Sequence, residues 1–325
     1  MTGIHLTELD LTDLATRLRG LPAVAAKRDI GLVAEVFGAG DWYWGPGDDG
    51  AVLPAGNGTL VVGGEAILPA FVAADPYAAG VAAVVTNVND LAAMGARPLA
   101  IVDTVVGPEA VLRAALRGMR WASELYQVPV VGGHVTRTPG PSAPTALSAF
   151  GIGRADRVLS ATNAQAGQAL VVACCLQGEM RPDFGFFASF DERGSSLAGD
   201  VRLLAELATS GAAVAAKDVS MAGLVGSLAM LLEPSTLGTT VDLSRLPVPD
   251  GVALVDWLGC FPCYAFLLTA PPDRVDDCLA GFRARGLTAE QVGVLDGSGE
   301  VRLAVDGRQV TVFDLRAEGV TNLRG

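Results

Sequence analysis

Two adjacent carboxylates, Asp48 and Asp49, stand in a glycine-rich stretch, Gly45-Pro46-Gly47-Asp48-Asp49-Gly50. Backbone N–H groups of such a loop can cradle a phosphate, whereas carboxylates approach one only through a cation such as Mg2+. The stretch matches the G-x-G-x-x-G pattern of dinucleotide folds. Ala51-Val52-Leu53-Pro54-Ala55-Gly56 cannot, however, continue as the helix whose N-terminus would hold a pyrophosphate. A simple polar turn is the competing reading. A second pair, Asn87 and Asp90, has the i,i+3 spacing that points an amide and a carboxylate the same way from a helix. It reads either as a metal or phosphate site on a rigid element or as two polar residues on a solvated face. Glu65 is a lone carboxylate where the strand Thr59-Leu60-Val61-Val62 ends. Further on, the stretch from Val128 to Thr138 reads as a short strand that delivers Gly132 and Gly133, then His134 and Arg137, into a loop. Paired glycines let a ligand approach the backbone closely, and His134 reads equally as a structural or a site histidine.

Three further groups carry weaker signals. Lys27 and Arg28 are the only paired cations before residue 100, and they suit a solvated helix start or a mobile pair that neutralises a phosphate. Asp218 precedes Ser220, a good N-cap for the helix expected after it, so Asp218 is either part of that cap or metal-directed. Cys260-Phe261-Pro262-Cys263 is a C-x-x-C without a second pair at zinc-finger spacing, and neither metal nor redox chemistry is expected there.

The elements that must position these groups can be read from periodicity. Asp75 can cap a helix that begins at Pro76 and closes at Gly95. Val81, Val84, Val85, Val88, Leu91 and Ala92 form its core-facing stripe, with Asn87 and Asp90 on the opposite side. Leu99 to Val106 reads as a half-buried strand, and the helix starting at Pro108 and Glu109 covers the core with Leu112, Ala115, Leu116, Met119 and Ala122. Thr145 to Gly153 is a strand in which Gly151 and Gly153 suggest tight packing against another sheet or subunit. A leading helix is expected within Leu6 to Gly20, an exposed excursion from Gly178 to Ser196, and helices over Leu197–Ser210 and Asp273–Arg285. The domain boundary falls after residue 157, giving domains 1–157 and 158–325.

The chain has 325 residues, half of them hydrophobic, which is enough for two domains with a sizeable core. With 23 basic and 35 acidic residues the formal charge is -12, and there is no basic run. Nucleic acid and anionic membranes are therefore not expected as partners, and a nucleotide would arrive neutralised by divalent cations. No stretch reaches the ~20 apolar residues of a spanning helix. Met1-Thr2-Gly3-Ile4-His5 lacks signal-peptide character, and five cysteines, an odd number, fit reduced thiols, so a cytoplasmic protein is expected.

Taken in order, four motifs resemble the AIR synthase (PurM-like) superfamily, which includes aminoimidazole ribonucleotide synthetase, thiamine monophosphate kinase, selenophosphate synthetase and the hydrogenase-maturation carbamoyl dehydratase. They are Gly47-Asp48-Asp49-Gly50-Ala51-Val52-Leu53, Asn87 through Ala96, Gly132-Gly133-His134, and Lys217 through Leu224. The resemblance implies an α/β fold of two domains, the N-terminal one pairing with its twin in a homodimer to form a β-barrel. It also implies ATP bound through Mg2+ at the dimer interface and an activated small-molecule acceptor. Carried over, Asp48, Asp49, Asn87 and Asp90 are the metal and phosphate cluster, Glu65 is a further metal ligand, Gly47, Gly132 and Gly133 lie against the nucleotide, and Asp218 approaches from the second domain. Three departures stand out. His134 replaces the acid that thiamine monophosphate kinases carry after the paired glycines, Met221 replaces their second acid after Asp-x-Ser, and no cysteine precedes the glycine-rich loop.

The sequence thus points to a Mg2+-dependent, ATP-using enzyme, with Arg137 or Lys27 supplying positive charge and His134 orienting the acceptor or relaying a proton. The alternatives are a non-catalytic nucleotide-binding partner protein and a purely structural dimer.

Overall fold

The computed structural model describes residues 9–38, 47–56, 58–140, 143–181 and 184–323. Gly45 and Pro46 of the glycine-rich stretch and residues 6–8 of the leading helix lie outside them. The fold is mixed α/β and forms two compact units. One comprises the described residues up to Asp48, Val158–Glu192 and those from Leu207 onward; the other comprises Asp49–Arg157 and Arg193–Glu206.

The chain opens with helices α1 (Leu11–Arg19), α2 (Pro22–Ala26) and α3 (Gly31–Phe37). Asp10 caps α1 by accepting from Thr12 and Asp13, which leaves Leu11, Leu14, Ala15 and Leu18 on its buried face.

The unit from Asp49 to Arg157 contains β1 (Ala51–Ala55), β2 (Gly58–Ile67), α4 (Pro69–Ala74), α5 (Pro76–Ala93), β3 (Arg97–Gly107), α6 (Glu109–Tyr126), β4 (Val130–Arg137) and β5 (Ala146–Ala155). Its five strands run in the order β1-β2-β5-β3-β4. β3 and β4 are parallel, and α6 is the crossover that parallel neighbours require. Val61, Gly63, Glu65 and Ile67 of β2 stand in register with Gly153, Gly151, Ala149 and Leu147 of β5. Strand alternation sends these positions to the face covered by α5, where a Cβ on Gly151 would meet Leu91 and Asn87. The opposite face is open: Leu53 and Phe150 are exposed, and Leu60, Val62 and Ile152 are half-buried.

The expected caps of α5 are present: Asp75 accepts from the Ala78 N–H at 2.9 Å, and Gly95 takes φ +71°. Its expected polar side is not. Asn87, Asn89 and Asp90 are buried along with the valines, because α5 lies between the sheet and α6. The two helices approach through a pair of glycines. A Cβ on Gly80 would collide with the Ala115 carbonyl oxygen, and one on Gly118 with that of Tyr77. Gly151 and Gly153 pack against Leu91 of α5 rather than against another sheet or subunit, since a helix seated on a strand needs the same clearance. Leu116 is partly exposed, while Leu112, Ala115, Met119 and Ala122 are buried as expected. The glycine pair, His134 and Arg137 are strand residues of β4, not loop residues, because the free edge of β3 recruits them into the sheet.

The larger unit continues with β6 (Ala169–Cys174), β7 (Glu179–Arg181), β8 (Phe186–Ala188) and α7 (Phe190–Arg193). Helix α8 (Leu197–Ser210) contributes to both units. There follow β9 (Ala215–Asp218), α9 (Gly223–Leu232), β10 (Gly238–Asp242), α10 (Leu254–Gly259), β11 (Phe261–Pro262), β12 (Ala265–Ala270), α11 (Val275–Arg283), β13 (Thr288–Asp296), β14 (Glu300–Val305) and β15 (Arg308–Asp314). The seven-stranded sheet runs β15-β14-β10-β13-β6-β12-β9, and the all-apolar β6 is one of its interior strands, fully buried. The expected excursion instead supplies β7 and β8, which form a small sheet β11-β8-β7 with a later strand, and its Phe187 packs edge-on against Trp257 at 5.3 Å. Helix α9 starts at Gly223, φ +70°, three residues beyond Ser220, so Ser220 is not its cap. All five cysteines are buried and outside any disulfide, and burial pushes the Cys260 and Cys278 thiols up to about 12, which disfavours the thiolate. Among the described residues no helix is long and apolar enough to cross a membrane.

Alanine improves helix propensity over glycine by ~1 kcal/mol. At Gly118, however, the added methyl overlaps a backbone carbonyl that cannot move independently of α5. Gly118→Ala is expected to lose about 1–3 kcal/mol in chemical unfolding. Gly132→Ala, with no atom within 4 Å of the new Cβ, is expected to stay within about 0.5 kcal/mol of the parent.

Candidate functional site

The two adjacent aspartates do different things. The Asp48 carboxylate accepts from Ser160 Oγ at 2.6 Å and from the Ala161 N–H at 2.7 Å. It thereby anchors the short helical turn Ala161–Asn163, whose own cap is Ser160. Burial raises the Asp48 carboxyl above its ordinary value, against the opposing pull of those two bonds and of the Lys217 charge. Asp49 instead offers its carboxylate to Asp90 of α5, with ligand oxygens of the two within 4.8 Å of each other. Asp90 is only 8 % exposed. Gly63 of β2 lies beside both, since a Cβ there would stand at ordinary contact distance, 3.4 Å from the Asp49 carbonyl oxygen and 3.9 Å from Asp90 Cβ.

Asn87, 0 % exposed, spends its amide on the protein. Its Nδ2 donates to the Ala83 carbonyl at 2.8 Å and the Ala149 carbonyl at 3.2 Å, and its Oδ1 accepts from the Gly151 N–H at 2.7 Å. It clips α5 onto β5. Glu65 lies within β2, half-buried on the same helix-facing side.

His134 and Gly132 do not join this cluster. They pair in register with Thr104 and Val102 of β3, on the open face of the sheet. From β2 to β4 there are three strand spacings, about 14 Å. Arg137, at the end of β4, pairs with Glu109 at 3.0 Å. Hydrogen bonding from Arg113 and the nearby Arg137 charge hold the Glu109 carboxyl below its ordinary value. In the larger unit, Lys27 sits in a short helical turn, Lys27–Ile30, and its neighbour Arg28 pairs with Glu318. There too, at the end of β9, Lys217 Nζ lies 2.7 Å from Asp218 Oδ1, with both residues buried.

Sequence reasoning missed Asp103. It faces the helices from the middle of β3, 5 % exposed, and its Oδ2 has no hydrogen-bond partner among the described residues. Its Oδ1 occupies the place a Cβ on Gly133 would take. The available signal was a charge at an inward position between Ile101 and Val105.

An all-oxygen carboxylate pair such as Asp49 and Asp90 suits a hard divalent cation. Asp48, by contrast, is committed to its hydrogen bonds. Asp48→Ala is expected to cost about 1–3 kcal/mol in urea unfolding, and Asp49→Ala distinctly less, because it also relieves a like-charge contact. Burial raises the Asp103 carboxyl above 3.8, so folding favours its protonated form. That contribution is complete below pH 3.8 and is lost as pH rises through the folded value. The melting temperature of Asp103→Asn relative to wild type should therefore rise between pH 3 and pH 7.

Residues 47–155 match the family model for the AIR synthase related protein N-terminal domain, and residues 192–306 match that for the C-terminal domain. An uncharacterised protein of Synechocystis sp. is 33 % identical over 323 residues, covering 97 % of this chain and 99 % of its own. Among solved structures, Thermotoga maritima PurL complexed with ATP superimposes with a TM-score of 0.72 at 19 % identity, over 83 % of this chain and 46 % of that one. AaThiL complexed with AMPPCP and TMP gives 0.66 at 18 % identity, over 96 % of this chain and 100 % of that one. This chain thus spans less than half the length of the PurL chain. By the two domain models and the Synechocystis relative, the chain belongs to the AIR synthase related family.

Proposed function

We propose that the chain binds ATP as a Mg2+ complex and phosphorylates, or otherwise activates, a small-molecule acceptor. The observation that carries this reading is the Asp49–Asp90 pair, two carboxylates within 4.8 Å of each other beside Gly63. Mg2+ held there would neutralise charge on the phosphates during transfer. Asn87 sets the rotation of α5 that presents Asp90, and Glu65 is a further candidate ligand on the same face. Asp218 is a candidate ligand by the family motif. By the family motif, the backbone at Gly47, Gly132 and Gly133 is the candidate nucleotide contact. Arg137 must leave Glu109 to meet a phosphate, and Lys27 is the other cation the sequence offers. The nucleotide complexes of PurL and AaThiL support the choice of ligand.

The exposed apolar side chains on the open sheet face, among them Leu53 and Phe150, suit burial against a second copy of the chain. His134 stands on that face, so its role in orienting an acceptor belongs to a homodimer. A second reading, a nucleotide-binding partner without turnover, is favoured by Met221, 53 % exposed where related kinases carry an acid.

Calorimetric titration should show Mg·ATP binding that is lost with EDTA and weakened on the order of tenfold or more by Asp90→Asn. No binding by the wild type, or unchanged binding by the variant, would overturn the proposal. ADP release across a panel of acceptors separates the enzyme from the binding module.

A further inference from the structure

We infer that the C-terminal segment from Glu318 to Leu323, latched onto the buried Glu233, positions Gly47 and Asp48. Its consequence for ligand affinity rests on the proposed function, in which Gly47 is a candidate nucleotide contact. The segment follows β15 and is held along its length. Arg28 pairs with Glu318, and Asn322 Nδ2 donates to the Arg28 carbonyl at 3.4 Å. A Cβ on Gly31, at the start of α3, would come to 2.7 Å from Asn322 Cβ, so glycine lets the two backbones lie side by side. Glu233 opens the short helical turn Glu233–Ser235 after α9 and is 2 % exposed. A glutamate is rarely buried so deeply unless paired. The bonds its carboxylate accepts among the described residues come from Thr321, whose N–H reaches Oε2 at 3.1 Å and whose hydroxyl reaches it at 3.0 Å. A Cβ on Gly319 would collide with the same carboxylate. Hydrogen bonds are directional, so this latch fixes the register of the segment where an apolar contact would let it slide.

That register carries through to the acidic loop. The Thr321 hydroxyl also accepts from the Leu323 N–H at 3.3 Å. Leu323 Cδ1 lies 3.7 Å from where a Cβ on Gly47 would stand, and Pro234, the residue after Glu233, puts its Cγ 3.4 Å from the same point. Gly47 has φ +107°, a backbone conformation open to glycine, and these two side chains pack against it there. The next residue, Asp48, is bonded to Ser160 and Ala161, and the turn Ala161–Asn163 lies against the turn Glu233–Ser235. Gly47 and Asp48 are thus enclosed by three segments distant in sequence. The relay Glu233–Thr321–Leu323 sets where the last of them meets Gly47.

Thr321→Val removes the hydroxyl at nearly constant volume, and Leu323→Ala removes the contact on Gly47. The Ala161 N–H donates to Asp48, so its hydrogen exchange, followed by NMR without nucleotide, reports on the position of Asp48. Both variants should speed that exchange about fivefold or more and weaken Mg·ATP binding about three- to tenfold in calorimetric titration. Thr321→Ser, which keeps the hydroxyl, should behave as wild type in both. Leu279 is buried on α11, which packs on β13 and β6, so Leu279→Ala is the control for lost stability. It should lower the melting temperature and leave the Ala161 exchange and Mg·ATP affinity unchanged. The inference is overturned if Ala161 exchanges at the wild-type rate in Thr321→Val and Leu323→Ala, or if Leu279→Ala speeds it equally. It is also overturned if wild type and Thr321→Val bind Mg·ATP equally tightly. A wild type that binds no Mg·ATP removes the proposed function instead, and the exchange rates still decide whether the segment positions Asp48.

Discussion

Burial of most of α5, all but its first turn and the half-buried stripe Ala82 and Thr86, is the constraint on which the smaller unit depends. A helix with a wet face can leave its polar side chains to water, but one lying between a sheet and a second helix must satisfy each of them internally. Asn87 does so by bonding across to β5 at Ala149 and Gly151, and this fixes the rotation of the helix about its axis. The depth at which α5 sits is set separately, by Gly80 and Gly118 where it meets α6. Rotation and depth together determine where Asp90, three residues after Asn87, faces Gly63 and Asp49. The position of a single carboxylate is thus held by an amide clip and by the absence of two side chains.

Electrostatics adds a second constraint. In a chain with 35 acidic and 23 basic residues, several of the cations near the motifs are already matched to fixed carboxylates. Arg137 is held by Glu109, Arg28 by Glu318 and Lys217 by Asp218. The exposed pairs contribute little to stability and break readily. The buried Lys217–Asp218 pair differs, because removing either partner leaves a charge in a low-dielectric setting.

Much of the fold was legible because it is encoded locally. Asp75 before Pro76 and Gly95 after the apolar stripe mark both ends of α5 through chemistry within one helical turn, a β-branched run marks β3, and alternation marks β5. The motif order carried the family. What was not legible depends on distant partners. Nothing near Asp48 and Asp49 distinguishes them; Ser160 and Ala161, more than a hundred residues later, claim the first. Asn87 reads as a surface residue until β5 is in place to accept it. The run from Gly132 to Arg137 looks like a loop because its glycines weaken the strand signal, and only the unpaired edge of β3 makes it a strand. Asp103 was hidden in the same way, as a charge within a run whose periodicity was otherwise that of a strand.

Strand alternation gives the sheet two chemically different faces. On the side under the helices, Gly63, Glu65 and Asp103 share their rows with Gly151 and Ala149, so carboxylates and absent side chains alternate. On the other side, Leu60, Val62, Phe150 and Ile152 make an apolar surface on which His134 is the ionisable group of β4. No side-chain rotation carries His134 through the sheet to Asp90, because the period of a strand is two and the backbone lies between them. Strand alternation therefore leaves His134 and the helix-side carboxylates on opposite sides of this sheet, and only the carboxylates lie on the side that α5 covers.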